Sequence, residues 1–261
     1  AESEGQSVAR LALGANAGRY TAVGRIRPDL FTTGLIQRMT ADGVAVDVDG
    51  RFAARVWNGR ASMVGSALKL ESSGTIDLAR NRTTGLRIDA WLRRPDALLT
   101  GMAGQNIQFA ALLDGAMATP HLEYRLTATE MRFGTRRLEG VEAHGAGLLG
   151  RAASTIPLAL TIRRVTGLGD LADGIVRQLS ASGILQWRNG VLTSDLLRVH
   201  SAGLDGRMTL QADTRSGHYL VGFDGALPGV EMPGLGRVDL VSRLSAQRST
   251  SGALGVSGTV H

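Results

Sequence analysis

Residues 95–147 read PDALLTGMAGQNIQFAALLDGAMATPHLEYRLTATEMRFGTRRLEGVEAHGAG. Pro95 opens a short helical pattern that stops at Gly104, and a glycine-bounded strand follows it. Pro120 then starts a second strand in which every other residue is apolar. The apolar members of that strand are Leu122, Tyr124, Leu126 and Ala128. A period of two predicts a β-strand with one apolar face and one polar face.

The same alternation recurs along the chain and indicates a mainly β protein. It occurs at Val44–Val48, Leu86–Leu92, Leu158–Ile162, Met208–Ala212, Tyr219–Phe223 and Val238–Leu244. Between such segments lie dipeptides that suit two-residue hairpin turns, which predicts a meander of sequential antiparallel strands. These dipeptides are Asp49-Gly50, Asn58-Gly59, Asn189-Gly190, Asp205-Gly206 and Ser216-Gly217.

Helical patterns are few and short. We expect helices at Pro95–Ala103 and Gly169–Leu179, and a weaker pattern spans Asp29–Met39. Together these are too small to cover a sheet of many strands. The apolar sheet face must therefore be covered by a facing sheet, by closure into a barrel, by a partner chain or by a ligand, and periodicity leaves these alternatives open.

Composition sets further bounds. The chain has 261 residues, of which 43% are hydrophobic and 20% are charged, which is typical of a globular protein. It has 35 glycines and only 4% aromatic residues, which suits many short strands better than long helices. It contains no cysteine, which excludes disulfides and thiolate sites. The sequence starts AESEGQSVAR, without a Met or a signal-peptide pattern, so we expect an internal piece of a longer protein.

The net charge of +6 comes almost entirely from arginine, since Lys69 is the only lysine. The arginines are scattered singly or in pairs, and the aromatic residues are too few to form a base-stacking platform. We therefore expect no nucleic-acid partner and favour a solvated arginine-rich sheet face. The arginines that alternate with apolar strand residues, and that we expect to face water, are Arg87, Arg93, Arg125 and Arg163.

The sequence contains no catalytic motif that we can assign. Its five histidines stand alone in sequence, without HExxH or other metal-ligand spacing, and GxSxG and Walker A patterns are missing. One GxGxxG match, GAGLLG at 145–150, is followed by Pro157 and a strand rather than by a helix, so we interpret it as a turn. We expect a protein that is not an enzyme and that has no metal and no cofactor.

The order of elements from Leu86 to Gly147 resembles the translocation and assembly module family, which is TamB-like. The segment ASTIPLALTIRRVTGLGDLADGIVRQLSASGILQWRNGVLTSDLLRVHS is similar to the repetitive β region of that family. The resemblance covers residues 60–261 and extends to the first 60 only in style. Its motifs are degenerate, so it carries no catalytic residue over to this chain.

The resemblance implies a periplasmic section of an inner-membrane-anchored envelope protein in a Gram-negative bacterium. It implies relatives among AsmA-like and bridge-like lipid transfer proteins, whose extended antiparallel sheet curls into an open groove with an apolar floor. The partner would be phospholipid, and a barrel-forming outer-membrane assembly partner would contact regions outside this fragment. Membrane contact would come only through segments that are not in this sequence. We expect residues 1–261 to form a single groove segment with sub-repeats at about 1–93, 94–165 and 166–261.

The alternating apolar residues are then candidates for the floor of such a groove. These candidates are Leu86, Ile88, Leu92, Leu122, Tyr124, Leu126, Leu158, Leu160, Ile162, Met208, Leu210, Val221, Phe223, Val238 and Leu240. The alternative for each of them is the ordinary core of a closed β-sandwich. A second functional alternative is a scaffold or chaperone segment that pairs its sheet edge with a client strand during outer-membrane protein assembly and secretion.

Overall fold

The computed structural model describes residues 2–3, 6–150, 153–167, 176–213, 218–232, 236–248 and 254–260. The chain is mainly β, with 75% of residues in strands that pair antiparallel and do not close into a barrel, so the expected fold class is confirmed. It divides into two compact units, Ala1–Gly134 and Thr135–His261, which we call unit 1 and unit 2.

Unit 1 contains eleven strands and two short helices in its described part. The strands are β1 (Glu2–Ser3), β2 (Gln6–Ser7), β3 (Ala9–Asn16), β4 (Arg19–Ile26), β5 (Val44–Ala53), β6 (Val56–Val64), β7 (Leu68–Asp77), β8 (Arg82–Leu92), β9 (Met102–Gln105), β10 (Ile107–Ala116) and β11 (His121–Phe133). A 3-10 turn (Pro28–Leu30) and helix α1 (Gly34–Met39) connect β4 to β5, and helix α2 (Pro95–Leu98) connects β8 to β9.

The strands of unit 1 pair in nearly sequential order, as a meander requires. Pairing runs from β3 through β8 to β10 and β11, while the short β9 pairs with β11 beside β10. Asn106 separates β9 from β10 and takes a left-handed conformation with φ of 54°. The register to β11 is the same on both sides of this residue, since Gln105 lies opposite Glu130 and Gln108 opposite Thr127.

Unit 2 continues the same architecture with longer strands. Its strands are β12 (Arg136–Leu148), β13 (Ser154–Thr166), β14 (Arg177–Arg188), β15 (Val191–Ser201), β16 (Leu204–Asp213), β17 (Tyr219–Met232), β18 (Gly236–Arg248) and β19 (Leu254–Val260). Each pairs antiparallel with the next one along the chain. The residues Gly145 and Gly147 lie inside β12, so the interpretation of 145–150 as a turn is wrong for these two.

The helix predictions are confirmed in part. The pattern at Asp29–Met39 contains the 3-10 turn and α1. The pattern at Pro95–Ala103 forms a helix only to Leu98, because Gly101 has φ of 81° and Met102 already pairs with Phe133 in the sheet. Of the predicted helix 169–179, residues 169–175 lie outside the described residues, and its last part is wrong because Leu179 pairs with Ile162 as part of β14.

Of the five predicted turns, one is confirmed, three are wrong and one lies outside the described residues. Asn189-Gly190 does form a turn, with φ of 49° and 82°. Asp49-Gly50, Asn58-Gly59 and Asp205-Gly206 instead lie within strands β5, β6 and β16. Ser216-Gly217 lies outside the described residues. The actual turns of unit 1 include Ala17-Gly18 and Ala54-Arg55, all four residues with positive φ.

Two of these mid-strand glycines lie beneath an aromatic ring. Gly50 and Gly59 lie directly opposite each other on β5 and β6. The Trp57 indole covers both, since a Cβ at Gly50 would overlap the ring and a Cβ at Gly59 would come within 2.9 Å of it. A Cβ at Gly59 would also come within 2.6 Å of the Gly50 Cα. Glycine is therefore required by close approach and not by a turn.

Unit 2 also contains an aromatic ring that lies over a pair of glycines. Gly206 and Gly225 are paired on β16 and β17, and Phe223 lies two residues before the second glycine, as Trp57 does in unit 1. A Cβ at Gly206 or at Gly225 would come within 2.8 Å or 2.7 Å of the Phe223 ring. An aromatic ring over paired glycines shields the backbone and helps to fix register.

No helix in the described part of the chain is long and apolar enough to cross a membrane.

The substitution Gly50→Ala tests the packing of Trp57 on the glycine pair. The added methyl overlaps the indole, and overpacking of this kind costs about 1–3 kcal/mol. We expect a lower urea midpoint of unfolding for the full chain, followed by far-UV circular dichroism. In a Trp57→Ala background the same Gly50→Ala change should cost nothing, whereas in a Trp91→Phe background it should keep its full cost. Equal costs in both backgrounds would contradict the packing.

Candidate functional site

The strand registers bring the apolar residues of unit 1 to one face. Residues directly opposite each other in an antiparallel pair project on the same side. Phe109 of β10 lies opposite Leu126 of β11 and opposite Ala90 of β8. Ala90 in turn lies opposite Leu70 of β7. The apolar members of four strands therefore share one side of the sheet.

The same reasoning extends this side to β3 at the start of the unit, and we call it the apolar face of unit 1. Its larger members are Leu11, Leu13, Tyr20, Ile26, Val44, Val46, Val48, Phe52, Trp57, Met63, Leu68, Leu70, Ile76, Leu86, Ile88, Leu92, Ile107, Phe109, Leu113, Leu122, Tyr124 and Leu126. The positions between them are Ala, Gly, Ser or Thr, and none of the registered positions from Ala9 to Ala128 on this face is charged. The next residue on this side of β11 is Glu130, which is 5% exposed and pairs with Arg132 at 2.7 Å.

The apolar face is shielded at some positions and open at others. Ile107 and Leu122 are buried, at 6% and 9% exposure. In contrast, Leu13 is 77% exposed, Tyr20 is 44% exposed and Phe109 is 38% exposed. The helices of unit 1 are only six and four residues long, too short to form a second layer over the sheet. Large apolar side chains therefore remain accessible on a face that carries no charge from Ala9 to Ala128.

Charged side chains occupy the opposite side, which we call the polar face of unit 1. Arg19 forms a bidentate pair with Asp49 across β4 and β5, with both N to O distances at 2.8 Å. Arg87 pairs with Asp89 at 2.7 Å, and Lys69 Nζ lies 4.5 Å above the Trp91 ring. The hydrogen bond from Arg19 lowers the pKa of Asp49, so this carboxylate stays charged. Hydrated ion pairs thus define the side that faces water.

Two aromatic residues meet on the apolar face of β10 and β11. The rings of Phe109 and Tyr124 stack with centroids 6.4 Å apart and an angle of 22° between their planes. Burial raises the pKa of Tyr124 above its ordinary value. Desolvation disfavours the phenolate, which shows that the environment of this ring has low polarity.

Unit 2 has an apolar face built in the same way. Leu160 lies opposite Ala143 and Ala181, and Ile162 lies opposite Val141 and Leu179. Further along, Met208 lies opposite Leu197 and Phe223, and Leu210 lies opposite Val221. Leu240 lies opposite Leu227.

The structure therefore places the candidate floor residues together within each unit. The members in unit 1, all on its apolar face, are Leu86, Ile88, Leu92, Leu122, Tyr124 and Leu126. The members in unit 2 that share its apolar face are Leu158, Leu160, Ile162, Met208, Leu210, Val221, Phe223 and Leu240. Val238 pairs with Val230, and its side chain lies outside the described residues.

The arginines expected to face water are exposed in the structure, namely Arg87, Arg93, Arg125 and Arg163. Sequence reasoning missed several residues of the apolar face, among them Leu68, Leu70 and Phe109. The apolar residues Ile107, Phe109, Ala111 and Leu113 recur at every second position, which is the same pattern that identifies β11. This pattern would also have identified β10 as a strand.

No group of three or more His, Asp or Glu side chains in the described part of the chain is placed to hold a metal ion. No protein-family model, no curated protein and no solved structure matches the chain. The apolar faces of the two units are the candidate functional site. That of unit 1 carries no charge from Ala9 to Ala128, whereas in unit 2 Arg164 and Arg177 follow Ile162 and Leu179 on the same side.

Titration of Tyr124 tests the low polarity of this face. The chain has three tyrosines, so the ultraviolet difference between wild type and Tyr124→Phe isolates one phenol. We expect this difference to titrate above the ordinary pKa of about 10. Because the folded pKa is raised, the stabilisation is complete below the unfolded pKa and is lost as pH rises through the folded one. A midpoint at or below about 10 would contradict the assignment.

Proposed function

We propose that this chain is a non-enzymatic lipid-carrying segment that shields phospholipid acyl chains on its apolar faces. The observation that supports it is the apolar face of unit 1, which carries no charge at its registered positions from Ala9 to Ala128 and keeps large side chains exposed. Beyond Ala128 the same side of β11 carries Glu130, which is buried and pairs with Arg132 at 2.7 Å. The ion pairs of Arg19 with Asp49 and of Arg87 with Asp89 lie on the polar face. An exposed apolar surface of this extent marks a site of interaction.

The energy of such binding follows from the hydrophobic effect. Burial of one CH2 group is worth about 0.8 kcal/mol, so a chain of roughly 16 carbons gains on the order of 13 kcal/mol when it is fully shielded. Every charged or uncovered position along the path would forfeit part of this gain, because an unpaired charge against hydrocarbon is strongly unfavourable. A continuous face without charges is the arrangement that an acyl chain requires.

The resemblance to the TamB-like family extends this proposal to a cellular setting. In that setting the chain is a periplasmic section of an envelope-spanning protein that carries phospholipid between the inner and outer membranes. The sequence features behind the resemblance are the alternating strand from Leu122 to Ala128 and the repetitive β region after Ser154, which form β11, β13, β14 and β15.

Photo-crosslinking tests the proposed lipid path directly. Leu126 and Arg125 are neighbours on β11 that project to opposite faces, with Phe109 and Ala110 as their partners on β10. A benzophenone amino acid at Leu126 should capture phospholipid in bacterial cells, identified by mass spectrometry. At Arg125, which is the more exposed of the two, capture should be several-fold lower.

Equal capture at the two positions would reject the assignment of the faces. Capture of nascent outer-membrane proteins and of no lipid would favour the scaffold alternative, in which the sheet pairs with a client strand. A lack of any capture at Leu126 would indicate the closed core of a sandwich.

A charged side chain introduced on the apolar face should weaken the binding of lipid. Phe109→Asp puts a carboxylate on the apolar face at a position that is 38% exposed, so the fold tolerates it better than at a buried site. Gln108→Asp puts the same charge on the other face of the same strand. We expect binding of a fluorescent phospholipid to fall at least about tenfold with Phe109→Asp and to stay unchanged with Gln108→Asp. Equal effects of both variants would contradict the proposal.

A further inference from the structure

The two ends of the strands in unit 1 differ in how they are covered. At one end, which we call the helical end, α1 and α2 lie against each other and Arg38 Nε donates to the Ala97 carbonyl at 3.1 Å. Val44 and Ala67 at this end are 2% and 0% exposed. The helical end of the apolar face is therefore closed by packed side chains and connecting segments.

The other end consists only of hairpin turns, and we call it the hairpin end. The turn at Ala17-Gly18 is tied to β5 by a hydrogen bond from Phe52 N to Gly18 O at 2.9 Å. The turn at Ala54-Arg55 is tied to the next turn by Leu78 N donating to Arg55 O, also at 2.9 Å. These backbone links hold three successive turns side by side as one edge.

Apolar side chains are exposed along this edge. Tyr20, Phe52 and Leu78 are 44%, 38% and 43% exposed. Tyr20 and Phe52 belong to the apolar face, so the face reaches the hairpin end without a cover. Aromatic rings with one wet side are characteristic of membrane interfaces.

The polar side of the same edge carries an excess of positive charge. Arg19, Arg51 and Arg60 surround the single carboxylate of Asp49 in a depression of about 450 Å³. Arg19 binds Asp49 at 2.8 Å and Arg60 lies at 3.6 Å, while Arg51 lies directly opposite Arg19 in the register. Like charges directly opposite each other are unfavourable in a sheet unless an anion compensates them.

Three exposed arginines at this end have no ion-pair partner in the part of the chain that the structure describes. They are Arg51, Arg55 and Arg82. Guanidinium groups bind phosphate in a bidentate geometry, so this edge presents phosphate-binding groups beside exposed aromatic rings.

We propose that the hairpin end of unit 1 docks onto the surface of an anionic phospholipid bilayer. The arginines would contact lipid phosphates, and Tyr20, Phe52 and Leu78 would enter the interfacial region. A soluble anion would satisfy the arginines and leave these apolar side chains in water, whereas a bilayer surface matches both. Docking in this orientation would turn the uncovered end of the apolar face toward the membrane. This docking is an additional property beyond the proposed shielding of acyl chains, and it does not require that shielding.

The helical end supplies the internal comparison. It also exposes apolar side chains, with Phe31 at 64% and Ile36 at 56%. Arg27 binds Asp29 there at 2.8 Å and Arg38 is bound to a carbonyl, while Arg10 and Arg93 are exposed and form no ion pair among the described residues. The two ends therefore differ in cover rather than in charge, because packed helices close the apolar face at the helical end and only turns border it at the hairpin end. We assign the membrane contact to the hairpin end on this ground.

Co-sedimentation of the full 261-residue chain with vesicles tests this assignment. The chain should bind phosphatidylcholine vesicles that contain 30% phosphatidylglycerol at least about tenfold more tightly than pure phosphatidylcholine vesicles, and added salt should weaken this binding. The triple variant Arg51→Gln/Arg55→Gln/Arg82→Gln should lose at least about tenfold in affinity. The matched variant Arg38→Gln/Arg93→Gln/Arg94→Gln at the helical end should bind like wild type.

A second measurement reports the orientation. In a Trp91→Phe/Trp187→Phe background only Trp57 fluoresces, and it lies on β6 at the hairpin end. Vesicles with brominated phosphatidylglycerol should quench it. The proposal would be overturned if the chain bound both kinds of vesicle equally well, or if the helical-end variant lost binding in place of the hairpin-end variant. It would also be overturned if Trp57 were not quenched. Full competition by inorganic phosphate would identify a site for a soluble anion and overturn it as well. Acyl-chain shielding is judged separately by the crosslinking at Leu126.

Discussion

Strand register is the constraint on which the rest of this molecule depends. Phe109 shares a face with Ala90 and Leu126 only because β10 pairs with β8 and β11 in one alignment. A slip of one residue between β10 and β11 would bring Arg125 or Thr127 opposite Phe109 and mix the two faces. Each strand inherits its alignment from the previous one, so an error at any pair would interrupt the apolar face beyond that point. The separation of apolar from charged side chains is therefore a property of the whole series of pairings.

Two local devices help to hold that alignment. The glycine pairs under Trp57 and Phe223 allow an aromatic ring to lie flat across two strands, which favours one register because only that alignment places both glycines beneath the ring. Bulges correct the alternation where strands differ in length, as between Ser73 and Thr75 in β7, where Gly74 has φ of 147°. Ion pairs on the polar face, such as Arg19 with Asp49, add specificity more than stability, since exposed pairs contribute little.

The sequence predicts structural features that depend on one strand alone. It does not predict features that depend on pairing with a neighbouring strand. Alternation identified the strand containing Leu122 to Ala128 and its apolar side, because side-chain direction follows from the strand alone. Asp49-Gly50 was misinterpreted as a turn since its glycine is required by Trp57 on the next strand, which no local pattern reveals. The helix after Pro95 was predicted too long because Met102 gains its pairing from Phe133, more than thirty residues away in sequence. The full extent of the candidate site likewise depends on neighbouring strands, since Leu70 joins it through its pairings with Met63 and Ala90.

A site of this kind leaves no motif because its chemistry is spread over every second residue of many strands. Recognition of an acyl chain needs neither a hydrogen bond nor a charge at a fixed point, only a surface without interruption. Replacement of one apolar residue by another preserves that surface, so the sequence is free to vary while the register is not. A single charge is a different matter, because it interrupts the path at one point regardless of how well the remainder is formed. If the proposed function holds, what matters is which side chains are excluded from one face, and this exclusion can be seen only after the strands have been aligned.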